Sequence, residues 1–184
     1  MKHVELRLAG EGGQGLILAA VILAEAASVY DGLNAVQTQS YGPESRGGAS
    51  KAEVIIADTE IDYPKVQLPD ITLVMSQEAA SKYSSSIKDE GTLLVDSSRV
   101  KNVPEVSANV IRAPITKIAR DDLGREIVAN IVGLGLLVGV TGVVTRDALF
   151  RAVMARVPKG TEDLNSRALE LGFEVAAQRM KQAE

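Results

Sequence analysis

The chain lacks most of the side chains on which metal, redox and covalent chemistry depend. Its 184 residues contain no cysteine, no tryptophan and a single histidine, His3. Without cysteine it can supply no disulfide, no thiolate nucleophile and no thiolate-ligated iron–sulfur cluster. One histidine is too few for a histidine metal site or a Ser-His-Asp triad. We therefore expect no metal site and no catalytic residue in this chain.

Aromatic side chains and positive charge are also scarce. With two phenylalanines and four tyrosines, the core must be built from Val, Ile, Leu and Ala, a composition typical of β-branched strands under Ala- and Leu-rich helices. The net charge is −4, and binding to a phosphate backbone needs a basic surface, so we expect no nucleic-acid partner. The length suits one domain, which we place over residues 1–184.

One stretch is apolar enough to raise the question of a membrane span. Residues 127–144 carry no charge, and Gly135 and Gly139 have the spacing of a membrane-helix dimer motif. However, a spanning helix needs about 20 predominantly apolar residues, and glycines interrupt this stretch. We favour a buried helix whose glycines let a neighbour approach closely. The N-terminus alternates apolar and charged residues as a strand does, so we expect no secretory signal and a cytoplasmic location.

Hydrophobic periodicity predicts alternating strands and helices through residue 112 and helices thereafter. Strands are predicted at residues 4–9, 34–40, 51–57, 71–75, 92–96 and 109–112. Helices are predicted at 16–29, from the N-cap Ser76 through residue 87, and after the N-caps Thr145 and Thr161. This order predicts a single three-layer α/β/α domain with a helical C-terminal portion.

A glycine-rich turn follows the first predicted strand. With the spacing G-x-G-x-x-G, it contains Gly10, Gly12, Gly13, Gln14 and Gly15. Glycine lets backbone N–H groups approach a phosphate at the positive end of the next helix, so the turn is Rossmann-like. The alternative is a tight turn that needs glycine for backbone geometry alone. The Gln14 side chain offers a donor and an acceptor to a ligand or a neighbouring chain.

A second unusual loop, residues 41–48, follows the second predicted strand. Its candidate binding residues are Tyr41, Ser45, Arg46, Gly47 and Gly48. Arg46 is a fork-shaped donor that suits a phosphate or a carboxylate, and the alternative is an ion pair with Glu44 or Asp58. Because both loops follow strands, a parallel arrangement would bring them to one edge of the sheet, where α/β proteins bind ligands.

Together the two loops carry a resemblance to a known family. Gly-x-Gly-Gly-Gln-Gly at residues 10–15, followed by Tyr-Gly-Pro-Glu-Ser-Arg-Gly-Gly at residues 41–48, resembles the gamma subunit of 2-oxoacid:ferredoxin oxidoreductases. The similarity continues through short segments at 52–58, 61–64, 69–70, 76–79 and 94–97. The Ser-Arg-Gly-Gly form of the second loop is most similar to the 2-oxoglutarate branch, since the pyruvate branch more often has Pro-Glu-Arg-Arg-Gly there.

The resemblance implies a multi-subunit enzyme that converts a 2-oxoacid to its acyl-CoA and CO2 and reduces ferredoxin. It implies alpha, beta and delta partner subunits that hold thiamine diphosphate, magnesium and iron–sulfur clusters, so this chain would bind no cofactor and be inactive alone. The gamma subunit is expected to contact coenzyme A or to close the active site through the glycine turn, Gln14 and Arg46.

Two other interpretations stay open at this point. The first is an NAD- or FAD-binding Rossmann oxidoreductase, which would need a ribose-binding carboxylate after the second strand, where residues 37–40 read Gln-Thr-Gln-Ser. The second is a purely structural scaffold subunit whose glycine loops pack against a partner. Whether the subunit serves the coenzyme A side of the reaction or is only a scaffold, its glycine-lined loops would face other chains. This would allow the isolated chain to self-associate as a homodimer.

Overall fold

A six-stranded sheet forms the centre of the structure, a computed structural model that describes residues 3–40 and 48–183. The strands are β1 (His3–Glu11), β2 (Asn34–Ser40), β3 (Ala49–Ala57), β4 (Ile71–Val74), β5 (Thr92–Asp96) and β6 (Asn109–Ala113). The helices are α1 (Leu16–Glu25), α2 (Gln77–Tyr83), α3 (Ile115–Asp121), α4 (Ala129–Thr141), α5 (Arg146–Arg156) and α6 (Glu162–Ala183). A π-helical turn, Ala26–Tyr30, extends α1, and a 3-10 turn, Glu126–Val128, precedes α4.

The sheet is mixed, with the order β2-β3-β1-β4-β5-β6. β1, β4, β5 and β6 are parallel, whereas β3 is antiparallel to both of its neighbours. β2 therefore runs in the same direction as β1. Glu11 pairs with Ala49 and Ser40 pairs with Lys51. The end of β1, the end of β2 and the start of β3 thus lie at one edge of the sheet.

Helices cover the two faces of this sheet unequally. The helices α1, α3, α4, α5 and α6 pack on one face with Leu8 and Leu73. On the other face, α2 packs over Ala9 and Val74. Consecutive residues of a strand point to opposite faces, so each of these strands contributes to both cores. The predicted α/β class with helices on both faces is confirmed.

The helix α4 packs against α6 with the two backbones in direct contact. A Cβ atom built on Gly135 would lie 2.4 Å from the carbonyl oxygen of Leu169, and one on Gly172 would lie 2.3 Å from that of Val132. These glycines therefore let the helices approach, which confirms the predicted buried helix. In the described part of the chain, no helix is long and apolar enough to cross a membrane.

Two helices are shorter than predicted. The helix predicted at 16–29 is α-helical only to Glu25 and then widens into the π-helical turn. The hydroxyl of Ser76 caps α2 as predicted, but α2 ends at Tyr83 rather than at residue 87. The serines at 84–86 explain the early end, because serine side chains compete for backbone hydrogen bonds and disfavour helix interiors.

The two residues predicted as N-caps in the C-terminal portion, Thr145 and Thr161, each directly precede a helix. The hydroxyl of Thr145 accepts a hydrogen bond from the N–H of Ala148 at 3.2 Å and caps α5. The hydroxyl of Thr161 instead donates to the carbonyl of Pro158 at 2.7 Å and accepts from Asn165 Nδ2 at 3.0 Å. Thr161 therefore fastens the start of α6 to the preceding loop.

We expect Gly172→Ala to lower the free energy of unfolding by about 3 kcal/mol, because the added methyl group overpacks a contact between two backbones. Denaturant unfolding of the purified chain measures this change. Gly12→Ala is the matched control, since a Cβ at position 12 would meet nothing within 4 Å. Equal unfolding midpoints for the two variants would contradict the proposed packing constraint.

Candidate functional site at the glycine turn

The glycine turn, residues 12–15, connects β1 to α1 at the carboxyl end of β1. Gly13 and Gly15 have φ angles of +92° and +72°, a left-handed conformation that favours glycine. Gly15 is the N-cap of α1 and offers no side chain to the first-turn N–H groups. No acceptor within residues 3–40 and 48–183 bonds to the N–H of Gly12 or Gly13. The turn therefore presents open backbone donors at the positive end of a helix.

The side chain of Gln14 is bonded to the backbone of its own chain. Its Oε1 accepts a hydrogen bond from the N–H of Glu11 at 2.8 Å, and its Nε2 donates to the carbonyl of Met75 at 3.0 Å. Because Met75 directly follows β4, Gln14 ties the turn to the neighbouring strand. A Cβ on Gly10 would lie 2.2 Å from Oε1, so glycine at position 10 makes room for this amide.

Asn130, at the start of α4, holds the other end of the turn. Its Nδ2 donates to the carbonyl of Gly15 at 3.1 Å, and a Cβ on Gly15 would lie 2.6 Å from that nitrogen. The side chain is buried. Sequence reasoning did not identify Asn130 as a site residue, and its one signal is an amide within the uncharged stretch 127–144.

Intrachain geometry thus accounts for the glycines at positions 10, 13 and 15, but not for Gly12. Gly12 is exposed, its φ lies outside the left-handed region, and a Cβ there would meet nothing within 4 Å. The fold by itself would accept a side chain at this position. What a glycine provides here is close access to the backbone from outside.

In the described part of the chain, cavities lie on both sides of the turn. The cavity on the β4 side has a volume of about 240 Å³, and its lining includes Gly13, Gln14, Met75, Thr116 and Glu126. The cavity on the β3 side has a volume of about 220 Å³, and its lining includes Glu11, Gly12, Gly13, Leu16 and Ser50. Pockets that enclose a drug-sized ligand usually measure about 300–1,000 Å³. Neither cavity is large enough to enclose a nucleotide-sized ligand alone.

The second candidate loop lies almost entirely outside the described residues. Tyr41, Ser45, Arg46 and Gly47 fall outside them, and Gly48 is the member that is described. The strand ends on either side of the loop lie at the same edge of the sheet as the glycine turn. The binding roles of these residues, and of the glycine turn, stay predictions. Among the residues that the structure describes, no cluster of three or more His, Asp or Glu could hold a metal ion.

Comparison with known proteins gives consistent matches over nearly the whole chain. Residues 5–175 match the family described as Pyruvate ferredoxin/flavodoxin oxidoreductase. A Methanocaldococcus jannaschii protein named 2-oxoglutarate synthase subunit KorC is 51% identical over 174 residues, which cover 94% of this chain and 93% of that protein. The crystal structure of a keto/oxoacid ferredoxin oxidoreductase gamma subunit from Geobacter sulfurreducens PCA is 51% identical, with a TM-score of 0.87, and covers 95% of this chain and 99% of that chain.

A more distant structure shares the fold. It is a 2-oxoglutarate:ferredoxin oxidoreductase from Magnetococcus marinus with 2-oxoglutarate, coenzyme A and succinyl-CoA bound. The TM-score is 0.85 at 20% identity, and the match covers 97% of this chain but 32% of that chain. The same fold therefore occurs there as one part of a longer polypeptide.

The chain belongs to the pyruvate ferredoxin/flavodoxin oxidoreductase family. Within that family it is a gamma subunit of a multi-subunit 2-oxoacid:ferredoxin oxidoreductase, and it is similar to 2-oxoglutarate synthase subunits. The resemblance predicted from the two glycine-rich loops is confirmed.

A double-mutant cycle tests the contact between Gly10 and Gln14. We expect Gly10→Ala to cost about 1–3 kcal/mol through overpacking, and Gln14→Ala to cost about 1–3 kcal/mol through two lost hydrogen bonds. The double variant should be less destabilised than the sum by about 1 kcal/mol, because Gln14→Ala removes the atom that the new methyl group would strike. Denaturant unfolding of the four proteins measures the coupling, and strict additivity would refute it.

Proposed function

We propose that this chain is the gamma subunit of an enzyme that converts 2-oxoglutarate and coenzyme A to succinyl-CoA and CO2 and reduces ferredoxin. We further propose that it serves the coenzyme A side of the active site and takes no part in the thiamine or cluster chemistry. The open backbone at Gly12 carries the second proposal, because the fold itself does not require glycine there. Support for the substrate comes from the 51% identical relative named a 2-oxoglutarate synthase subunit.

The chemistry of the turn suits the phosphate groups of coenzyme A. Backbone N–H groups at the N-terminus of a helix stabilise negative charge. Arg46 would add a charged fork that can bind two phosphate oxygens at once. The sequence has no cysteine for a cluster ligand, so clusters and their electron transfer belong to the alpha, beta or delta partners.

The openness of the site supports a role within a complex. Each cavity beside the turn is smaller than a typical ligand pocket, at about 240 and 220 Å³. A coenzyme held at the turn would therefore need walls from another subunit. This arrangement is expected of a subunit that is inactive alone, in an assembly that we place in the cytoplasm.

A purely structural scaffold is the second candidate function. The internal bonds of Gln14 and Asn130 favour it, because they show that much of the turn serves the fold. A scaffold would leave the Michaelis constant for coenzyme A unaffected by changes at the turn and at Arg46. The two candidates are therefore separable by steady-state kinetics.

The tagged chain, purified anaerobically from its native host, should bring down thiamine- and cluster-bearing partner subunits. We expect the eluate to reduce a viologen dye only when 2-oxoglutarate and coenzyme A are both present, because acyl transfer needs both substrates. Replacing 2-oxoglutarate with pyruvate is the control and should give a much lower rate. Recovery of this chain without partners, or a preference for pyruvate, would be incompatible with the proposal.

In the assembled enzyme, we expect Arg46→Ala to raise KM for coenzyme A about tenfold, since a charge-assisted hydrogen bond contributes about 1.5–3 kcal/mol. KM for 2-oxoglutarate should stay unchanged. Arg179→Ala is the matched control, because Arg179 lies near the far end of the 22-residue helix α6 and bonds to Gln182. An unchanged KM for coenzyme A in Arg46→Ala would favour the scaffold function.

A further inference from the structure

The crevice in which open α/β sheets usually bind ligands lies between β1 and β4. These strands are parallel neighbours, with residues 6–9 opposite residues 71–74. The helix after β1 packs on one face of the sheet, and the helix after β4 packs on the other. Ligands in such sheets bind outside the carboxyl ends of the strands, where successive connections diverge to opposite faces.

In this chain the carboxamide of Gln14 lies in that crevice. It is bonded to the N–H of Glu11, the last residue of β1, and to the carbonyl of Met75, the residue after β4. Its Oε1 therefore occupies a backbone donor at the carboxyl end of β1, the end at which open α/β sheets bind their ligands. Both polar ends of the amide are satisfied, and Gly10 provides the space that the side chain needs.

The backbone that lines the two cavities also differs. A carboxylate residue lies on each side, Glu126, paired with Arg99, on the β4 side and Glu11 on the β3 side. Gly13 lines both cavities, whereas of the two only the cavity on the β3 side is lined by Gly12. An anionic ligand would thus meet both open N–H groups of the turn only from the β3 side.

We infer that Gln14 is a positioning residue: it closes the β1–β4 crevice and holds the turn so that its open N–H groups receive an anionic group from the β3 side. The inference rests on the proposed coenzyme A role of this chain. It explains the glutamine within the glycine motif, where a dinucleotide-binding turn would leave the crevice free. The side chain acts through the backbone of the turn and need not contact the coenzyme itself.

The test compares two glutamines in the assembled oxidoreductase. Gln14→Met keeps the length of the side chain but removes both hydrogen bonds. Gln77→Met is the matched control, because Gln77 on α2 also bonds to backbone groups, at residues 101 and 102. We expect Gln14→Met to raise KM for coenzyme A about fivefold while kcat and KM for 2-oxoglutarate stay within about twofold, and Gln77→Met to change none of these constants.

Parallel measurement of Arg46→Ala separates the two proposals. A higher KM for coenzyme A in Arg46→Ala but not in Gln14→Met would overturn the role of Gln14 and leave the proposed function standing. An unchanged KM for coenzyme A in both variants would overturn the role of Gln14 and the proposed function together. A loss of kcat in Gln14→Met that also appears in Gln77→Met would show a merely structural role and would overturn the inference.

A measurement on the unaltered complex covers the case in which Gln14→Met does not assemble. Amide hydrogen exchange is followed with and without coenzyme A. We expect the coenzyme to slow exchange in peptides that contain Gly12–Gly13 and Ser50, on the β3 side of the turn. Slower exchange at residues 126–129, on the β4 side, in place of these peptides would overturn the inference.

Discussion

Two side-chain amides hold the glycine turn from opposite ends, and the candidate site depends on them. Gln14 joins the turn to the residue after β4, and Asn130 joins Gly15 to the start of α4. Gln14 satisfies the carbonyl of the buried Met75, and Asn130 adds a second donor to the carbonyl of Gly15, which also accepts from Ala19. With both ends held, the backbone at Gly12 can stay open without the turn having to order itself around a ligand, which would lower the entropic cost of the proposed binding.

The position of Asn130 depends in turn on how α4 is packed. Residues 128–138 are all buried, which explains the uncharged stretch without a membrane. Gly135 on α4 and Gly172 on α6 bring the two backbones together, so α6 covers the apolar surface of α4 at short range. The glycines at the interface of α4 and α6 therefore fix the position of α4. The position of α4 in turn places Asn130, at its start, against the glycine turn.

The different roles that we propose for this chain and its partner subunits follow from the composition of the chain and from the geometry of the turn. A chain with no cysteine and one histidine has few groups that accept electrons or bind metals. What it offers is the open backbone donors of the turn, at the edge of the sheet where the strands that flank the Arg46 segment also end. Such a subunit can orient a substrate for chemistry that partner subunits perform, because binding and orientation need no reactive group.

The sequence by itself determined the order of strands and helices, the place of the glycine turn and the family, since periodicity, capping and glycine spacing are local properties. It did not determine the antiparallel direction of β3 or the use of Gln14. These depend on contacts between distant residues: Gln14 meets a residue 61 positions away, and Asn130 meets one 115 positions away. A side-chain amide has the same donor and acceptor for a ligand as for its own backbone, so only the tertiary structure could decide which of the two it bonds.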